Sequence, residues 1–106
     1  MDFEYEADWK VFSKKLPFWQ ERFMDSLITE YIRFLMGGGD STQKFWALKK
    51  RIKEDAKKTA LTIEMSRGQM YGNIVSLVRE GVITMDDLDD FSPEYRKMVQ
   101  YWIDHR

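Results

Sequence analysis

Apolar positions along the chain recur mostly at three- and four-residue spacing, the period of a helix, and helix start and stop signals divide that pattern into segments. The signals agree best between Met65 and Phe91. Ser66 with Gln69 reads as a capping box, and Met65 with Met70 as the hydrophobic staple over it, so a helix is expected to begin at Arg67. Met70, Tyr71, Ile74, Val75, Leu77 and Val78 form its apolar face, and Gly81 stands where a left-handed C-terminal cap belongs. The signals then repeat: Thr84 pairs with Asp87, and Ile83 with Leu88, predicting a turn over Gly81-Val82-Ile83-Thr84 and a short acidic helix. Ser92-Pro93-Glu94 starts a last helix, which offers Tyr95, Met98, Val99, Trp102 and Ile103 to a core.

The first third of the chain is less regular. From Phe3 to Val11 apolar and polar residues alternate strictly, the period of a strand, whereas Trp9, Phe12 and Leu16 continue at helical spacing. The expectation is an extended arm, a helix over about Asp8 to Lys15, and a second helix started by Pro17 that runs to Met36 and stops at Gly37-Gly38-Gly39. On that helix Leu16, Trp19, Phe23, Met24, Leu27, Ile28, Tyr31, Ile32, Phe34 and Leu35 spread over roughly 200°, about twice the stripe of a one-sided surface helix. It must be covered on two sides, either as the central helix of the domain or with one flank against a second copy.

Asp40 with Gln43 caps a third helix expected to reach about Lys58, with Phe45, Leu48, Ile52 and Ala56 facing the core. Thr59 to Met65 alternates again and reads as an extended connector, with a short pairing to residues 3–11 as an option. Gly72 sits inside a helix at a cost of about 1 kcal/mol relative to alanine, which suggests that another helix crosses there at close range. Together these elements describe an all-α domain spanning residues 1–106. Four to five helices surround the long one at 17–36, with short extended segments possible near 3–11 and 59–65.

Composition narrows the chemistry. A chain of 106 residues, 43% apolar, suffices for one core without staples, and with no cysteine there is no disulfide, thiolate nucleophile or thiolate metal site. No apolar run is long enough to span a bilayer, and the acidic opening Met1-Asp2-Phe3-Glu4 is the reverse of a signal peptide's start; the expectation is a cytoplasmic protein without a membrane role. Seventeen basic against eighteen acidic residues leave no global field for nucleic acid. The charges are nonetheless segregated: Asp86 to Glu94 is acidic and Lys44 to Lys58 basic, a layout suited to steering a partner or to self-association. Four Trp, seven Phe and five Tyr exceed what a small core needs, so some rings are expected at an interface.

Catalytic chemistry has little to build on. The one histidine, His105, lies at the fraying end of the chain, and Glu64, Glu80 and Glu94 lack partners at a catalytic spacing, so no catalytic residue, cofactor or enzyme activity is expected. Asp86, Asp87, Asp89 and Asp90 fail the Ca²⁺-loop pattern, which would require glycine and glutamate where Phe91 and Lys97 stand, and no metal site is assigned. The glycines at 37–39 lack the lysine and hydroxyl of a phosphate-binding loop.

The segment Ile74-Val75-Ser76-Leu77-Val78-Arg79-Glu80-Gly81-Val82-Ile83-Thr84-Met85-Asp86-Asp87-Leu88 resembles the helix-turn-helix of the bacterial short C-terminal domain, and the resemblance implies a role in oligomerisation. It departs from that family at Phe91-Ser92-Pro93, where the second helix is interrupted. As a whole the chain resembles uncharacterised small helical proteins of Gram-positive bacteria and their phages, which implies no particular functional residues. The leading functional expectation is a non-enzymatic protein–protein interaction module, regulatory or inhibitory, acting through an aromatic-rich helical surface that includes Trp9, Trp19 and Trp46. The first alternative is a nucleic-acid-binding module in which Trp46 stacks on a base while Lys50, Lys53 and Lys57 meet phosphates. The second is a structural homo-oligomer.

Overall fold

The structure is a computed structural model and describes residues 4–105. It is all-α, with no strand among the described residues. Helix α1 spans Glu6–Met36, α2 Ser41–Asp55, α3 Thr59–Thr62, α4 Met70–Arg79 and α5 Pro93–Asp104; short 3₁₀ turns occupy Arg67–Gln69 and Met85–Leu88.

Where the sequence suggests two helices meeting at Pro17, α1 is unbroken. A proline inside a helix costs about 3 kcal/mol, because the bond to the carbonyl four residues back is lost and the ring crowds it. Phe12, Leu16 and Trp19 explain why the helix continues: all three are buried, on one side, against one core, and a break at Pro17 would turn Trp19 away from the other two. Each contributes about 1.5–3 kcal/mol by leaving water. Pro17 itself is exposed on the outer side of the helix. The extended arm expected ahead of Asp8 gives way to a turn at residues 4 and 5 followed by helix from Glu6, so residues 4–11 form no strand, while Phe3 lies outside the described residues. Its proposed strand partner fares the same way: Thr59–Thr62 is a helical turn, and the connector after it pairs with nothing in a sheet.

The first half of α1 packs with α3, α4 and α5 into a head. Its core joins Phe12, Leu16 and Trp19 to Ala60, Met70, Ile74, Leu77, Ile83, Leu88, Phe91, Tyr95 and Val99. The turn after α4 forms as its residues dictate. Gly81 adopts φ 75°, open to glycine without penalty, and Thr84 and Asp87 close a reciprocal capping box. Ser66 makes no side-chain cap, so the chain enters α4 through the 3₁₀ turn and the α-helix starts at Met70 rather than Arg67. A Cβ added at Gly72 would meet nothing within 4 Å, so no helix crosses there. Ser92 caps α5 by accepting from the Tyr95 amide, with Pro93 at the first helical position. Trp102, expected in the core, is half-exposed at the end of α5.

Polar contacts fasten the head to α1. Asp8 is buried and accepts from the Ser92 amide at 2.6 Å and the Ser92 hydroxyl at 2.8 Å, tying the two helix starts together. Arg22 donates through both terminal nitrogens to Asp87 (3.1 and 3.0 Å), and Lys15 pairs with Asp90 at 2.8 Å. Two members of the acidic segment are thus engaged in holding the turn onto the long helix. The Arg22 hydrogen bonds hold the Asp87 carboxyl below the usual carboxylate range.

The second half of α1 leaves the head. With α2 returning alongside it after the turn at residues 37–40, it forms a two-helix arm. At 1.5 Å per residue α1 is about 46 Å long, and it accounts for most of the 58 Å long axis of the molecule. The radius of gyration, 16.9 Å, far exceeds the roughly 13 Å of a compact chain of this size.

Candidate functional site: an apolar flank on the two-helix arm

Hydrogen bonds and ion pairs set the register of the arm. Lys44 Nζ donates to the Leu35 carbonyl at 2.9 Å, Arg51 pairs with Glu30, and the Lys58 ammonium lies over the Phe23 ring at 5.7 Å. Rising numbers on α2 meet falling numbers on α1, so the pair is antiparallel. Near the base of the arm, Tyr31 Oη donates to Asp55 Oδ2 at 2.5 Å while Lys58 pairs with Asp55 Oδ1 at 3.1 Å. Burial, and then the adjoining Asp55 carboxylate, push the Tyr31 hydroxyl up to about 12. The hydrogen bond from Tyr31 moves Asp55 the other way, below its ordinary value.

Apolar contact inside the arm is thin. Along residues 24–36 of α1, Leu27 is buried, Tyr31 and Phe34 are half-buried against α2, and Met24, Ile28, Ile32, Leu35 and Met36 are exposed. On α2, Leu48 is half-buried, while Phe45 is 62% and Ile52 46% exposed. The stripe Phe45, Leu48, Ile52 and Ala56, expected to face the core, therefore meets no core beyond Leu48, because α2 has α1 as its neighbour and the head lies beyond its end.

These exposed residues form one surface. At about 100° per residue, the exposed strip on each helix lies roughly a quarter-turn clockwise, viewed from N- to C-terminus, of the side facing the other helix. In an antiparallel pair equal offsets of the same sense fall on the same flank. Met24, Ile28, Ile32 and Leu35 are thereby continuous with Phe45 and Ile52. A shallow hollow of about 420 Å³ lined by Leu35, Ser41, Lys44, Phe45 and Leu48 marks where the helices join. Phe12, Leu16 and Trp19, which meet the head, lie nearly opposite this strip on the α1 wheel, so the head leaves it uncovered.

Of the residues expected to bind a partner, Trp46, Lys50 and Lys53 lie on the side of α2 turned away from α1, beyond the apolar flank, and Lys57 lies in the turn after α2. Trp46 is 57% exposed with the Lys49 ammonium over its ring at 5.2 Å, and the three lysines are exposed. Trp9 and Trp19 belong elsewhere. Trp9 is half-buried beneath the Arg67 guanidinium (5.1 Å), itself fixed by two hydrogen bonds to Glu6. Trp19 is 4% exposed and stacks on Phe91 at 6.4 Å, so as a core residue it offers no partner surface. The aliphatic strip was present in the sequence as the excessive width of the long apolar helix. What the pattern lacked was the second half of that signal, namely which side of α2 is also left bare.

No cluster of His, Asp and Glu able to hold a metal ion occurs among the described residues, and no described helix is long and apolar enough to cross a membrane. The chain matches no family model, no curated protein and no solved structure.

Proposed function

We propose that the chain is a non-enzymatic protein–protein interaction module whose binding surface is the apolar flank of the arm. The observation that carries this reading is the extent of that flank. From Met24 to Ile52 the exposed apolar side chains present on the order of 600 Å², at the top of the roughly 300–600 Å² range of the largest apolar patch on a typical soluble monomer, a patch that is often functional. The surface combines aromatic, isoleucine, leucine and methionine side chains with a charged margin, as protein interfaces do. A photo-crosslinking amino acid placed at Ile32 or Phe45, in the cells that produce the chain, should yield protein adducts that the same probe at exposed Lys10 does not. Equal or absent labelling at all three positions would overturn the reading.

The exposure of Trp46 beside Lys50, Lys53 and Lys57 supports a second reading, single-stranded nucleic-acid binding along the outer edge of α2. Binding of this kind weakens steeply with salt and should vanish in a Lys50→Glu, Lys53→Glu variant. The aliphatic strip argues for protein first, since Ile28, Ile32 and Leu35 neither stack on bases nor neutralise phosphates. A regulatory role and a cytoplasmic location fit this reading.

A further inference from the structure

We infer that the occupant of the apolar flank is a second copy of the same chain, its arm lying alongside the first to complete a four-helix bundle. The inference rests on the interaction-module reading and names its partner. Three features on the arm lead to it.

The first is area. A stable interface buries about 800 Å² from each partner; the apolar strip of one arm supplies on the order of 600 Å² of it, and the charged margins beside the strip add the rest. The second is shape: a two-helix layer with one apolar face needs another layer, and an identical layer turned about a two-fold axis meets it with the same surface. The third is charge, which selects the axis. The outer margin of the α1 strip is acidic, with Asp25 beside it and Glu21 one turn nearer the head, while the outer margin of the α2 strip carries Lys49 and Lys53, with Lys57 in the turn just beyond the helix. If the axis runs along the arms, the α1 strip of each copy faces the α2 strip of the other at the same height. The pairings of Leu35 with Lys44, Glu30 with Arg51 and Phe23 with Lys58 place Asp25 level with residue 56. Asp25 then sits between Lys53 and Lys57 of the other copy. The alternative axis, across the arms and through their middle near Glu30 and Arg51, would set the lysine margin of one α2 against that of the other and leave Asp25 level with Leu35 of the other copy, with no cation opposite it. The arms therefore lie side by side with both heads at one end, and the uncovered side of α1 keeps the heads out of the contact.

Sedimentation equilibrium over the micromolar range should find a dimer that Ile28→Asp with Ile32→Asp converts to monomer. Unchanged far-ultraviolet dichroism would show that the head remains folded, as expected for two half-exposed positions. Asp25→Lys alone, or Lys53→Asp with Lys57→Asp, should each weaken dimerisation about tenfold, and mixing the two variants should restore it as a heterodimer. Because the chain has no cysteine and a Cβ at Gly38 meets nothing within 4 Å, Gly38→Cys carries a spin label cleanly. Label-to-label distances should place the two tips beside each other. A wild-type monomer throughout, a dimer indifferent to the strip variants, or widely separated tips would each overturn the inference. Foreign adducts at Ile32 on a monomeric chain would remove the second copy and leave the module reading standing; absence of any adduct there would remove both.

Discussion

In the head, α1 buries Phe12, Leu16 and Trp19 beneath three further helices, whereas along the arm the same helix buries Leu27 and leaves Ile28, Ile32 and Leu35 in contact with water. The side chains are of similar kind and the backbone is continuous. The difference lies in the number of neighbours: α3, α4 and α5 surround one half, and α2 alone accompanies the other. Apolar width on a helix thus reports how much covering it calls for, not how much it has within its own chain. The half with surplus width is the half with a single neighbour.

The sharpest way to break this contrast is to delete matched aliphatic groups. Leu77→Ala, in the centre of the head, should cost about 3–4 kcal/mol, while Leu48→Ala, half-buried on the arm, should cost about 1 kcal/mol. Urea denaturation followed by circular dichroism measures both, and comparable losses would show that the arm is as tightly packed as the head. A smaller effect is expected at the polar clamp. Asp8→Ala strands the Ser92 amide and hydroxyl and should cost about 2 kcal/mol in the same assay.

Acid and alkali sharpen the comparison next. Asp55 in the arm and Asp87 in the head have depressed folded-state pKa values. Their stabilisation is full above the unfolded value of 3.8 and is lost as pH falls through the lower folded one. Tyr31 is raised from 10.0 to about 12, so its contribution is full below pH 10 and disappears as pH climbs toward 12; burial raises Tyr71 and Tyr95 in the head as well, and their contributions fade in the same direction. Hydrogen exchange resolved by residue should show α2 loosening in that alkaline window, and Tyr31→Phe should reduce that loosening in α2 while leaving the response of α4 unchanged. The smallest expected change is a gain. Gly72→Ala, in an exposed helical position with open space around it, should raise stability by about 0.5–1 kcal/mol; a decrease would mean that the glycine is needed for something α4 touches outside this chain.

Much of the head was legible in the sequence because local signals there coincide with tertiary ones. Gly81, the Thr84–Asp87 box and the Ser92-Pro93 start each specify a backbone geometry within four residues, and the structure adopts those geometries. The junction at Pro17 was not legible. A proline that starts one helix and a proline carried inside another look alike until the burial of Trp19 beside Leu16 is known. The alternation over residues 3–11 misled for a related reason, since period two and helical spacing overlap in so short a run. At the candidate site, the grouping of Trp46 with Lys50 and Lys53 follows from spacing on one helix, whereas Lys57 falls in the turn after it, and the bare flank depends on how two helices lie against each other. Trp19 was counted among exposed rings because composition gives the number of aromatics without saying which of them the core takes.

The continuity of α1 has a mechanical consequence. A rod with one end embedded and the other protruding is a lever, and Pro17 stands close to its fulcrum. Whatever grips the glycine tip applies torque directly to the helix carrying Trp19, whose indole rests against Phe91. Trp19 thus sits at the foot of the beam, and a load on the far end meets its first resistance where that indole lies against Phe91.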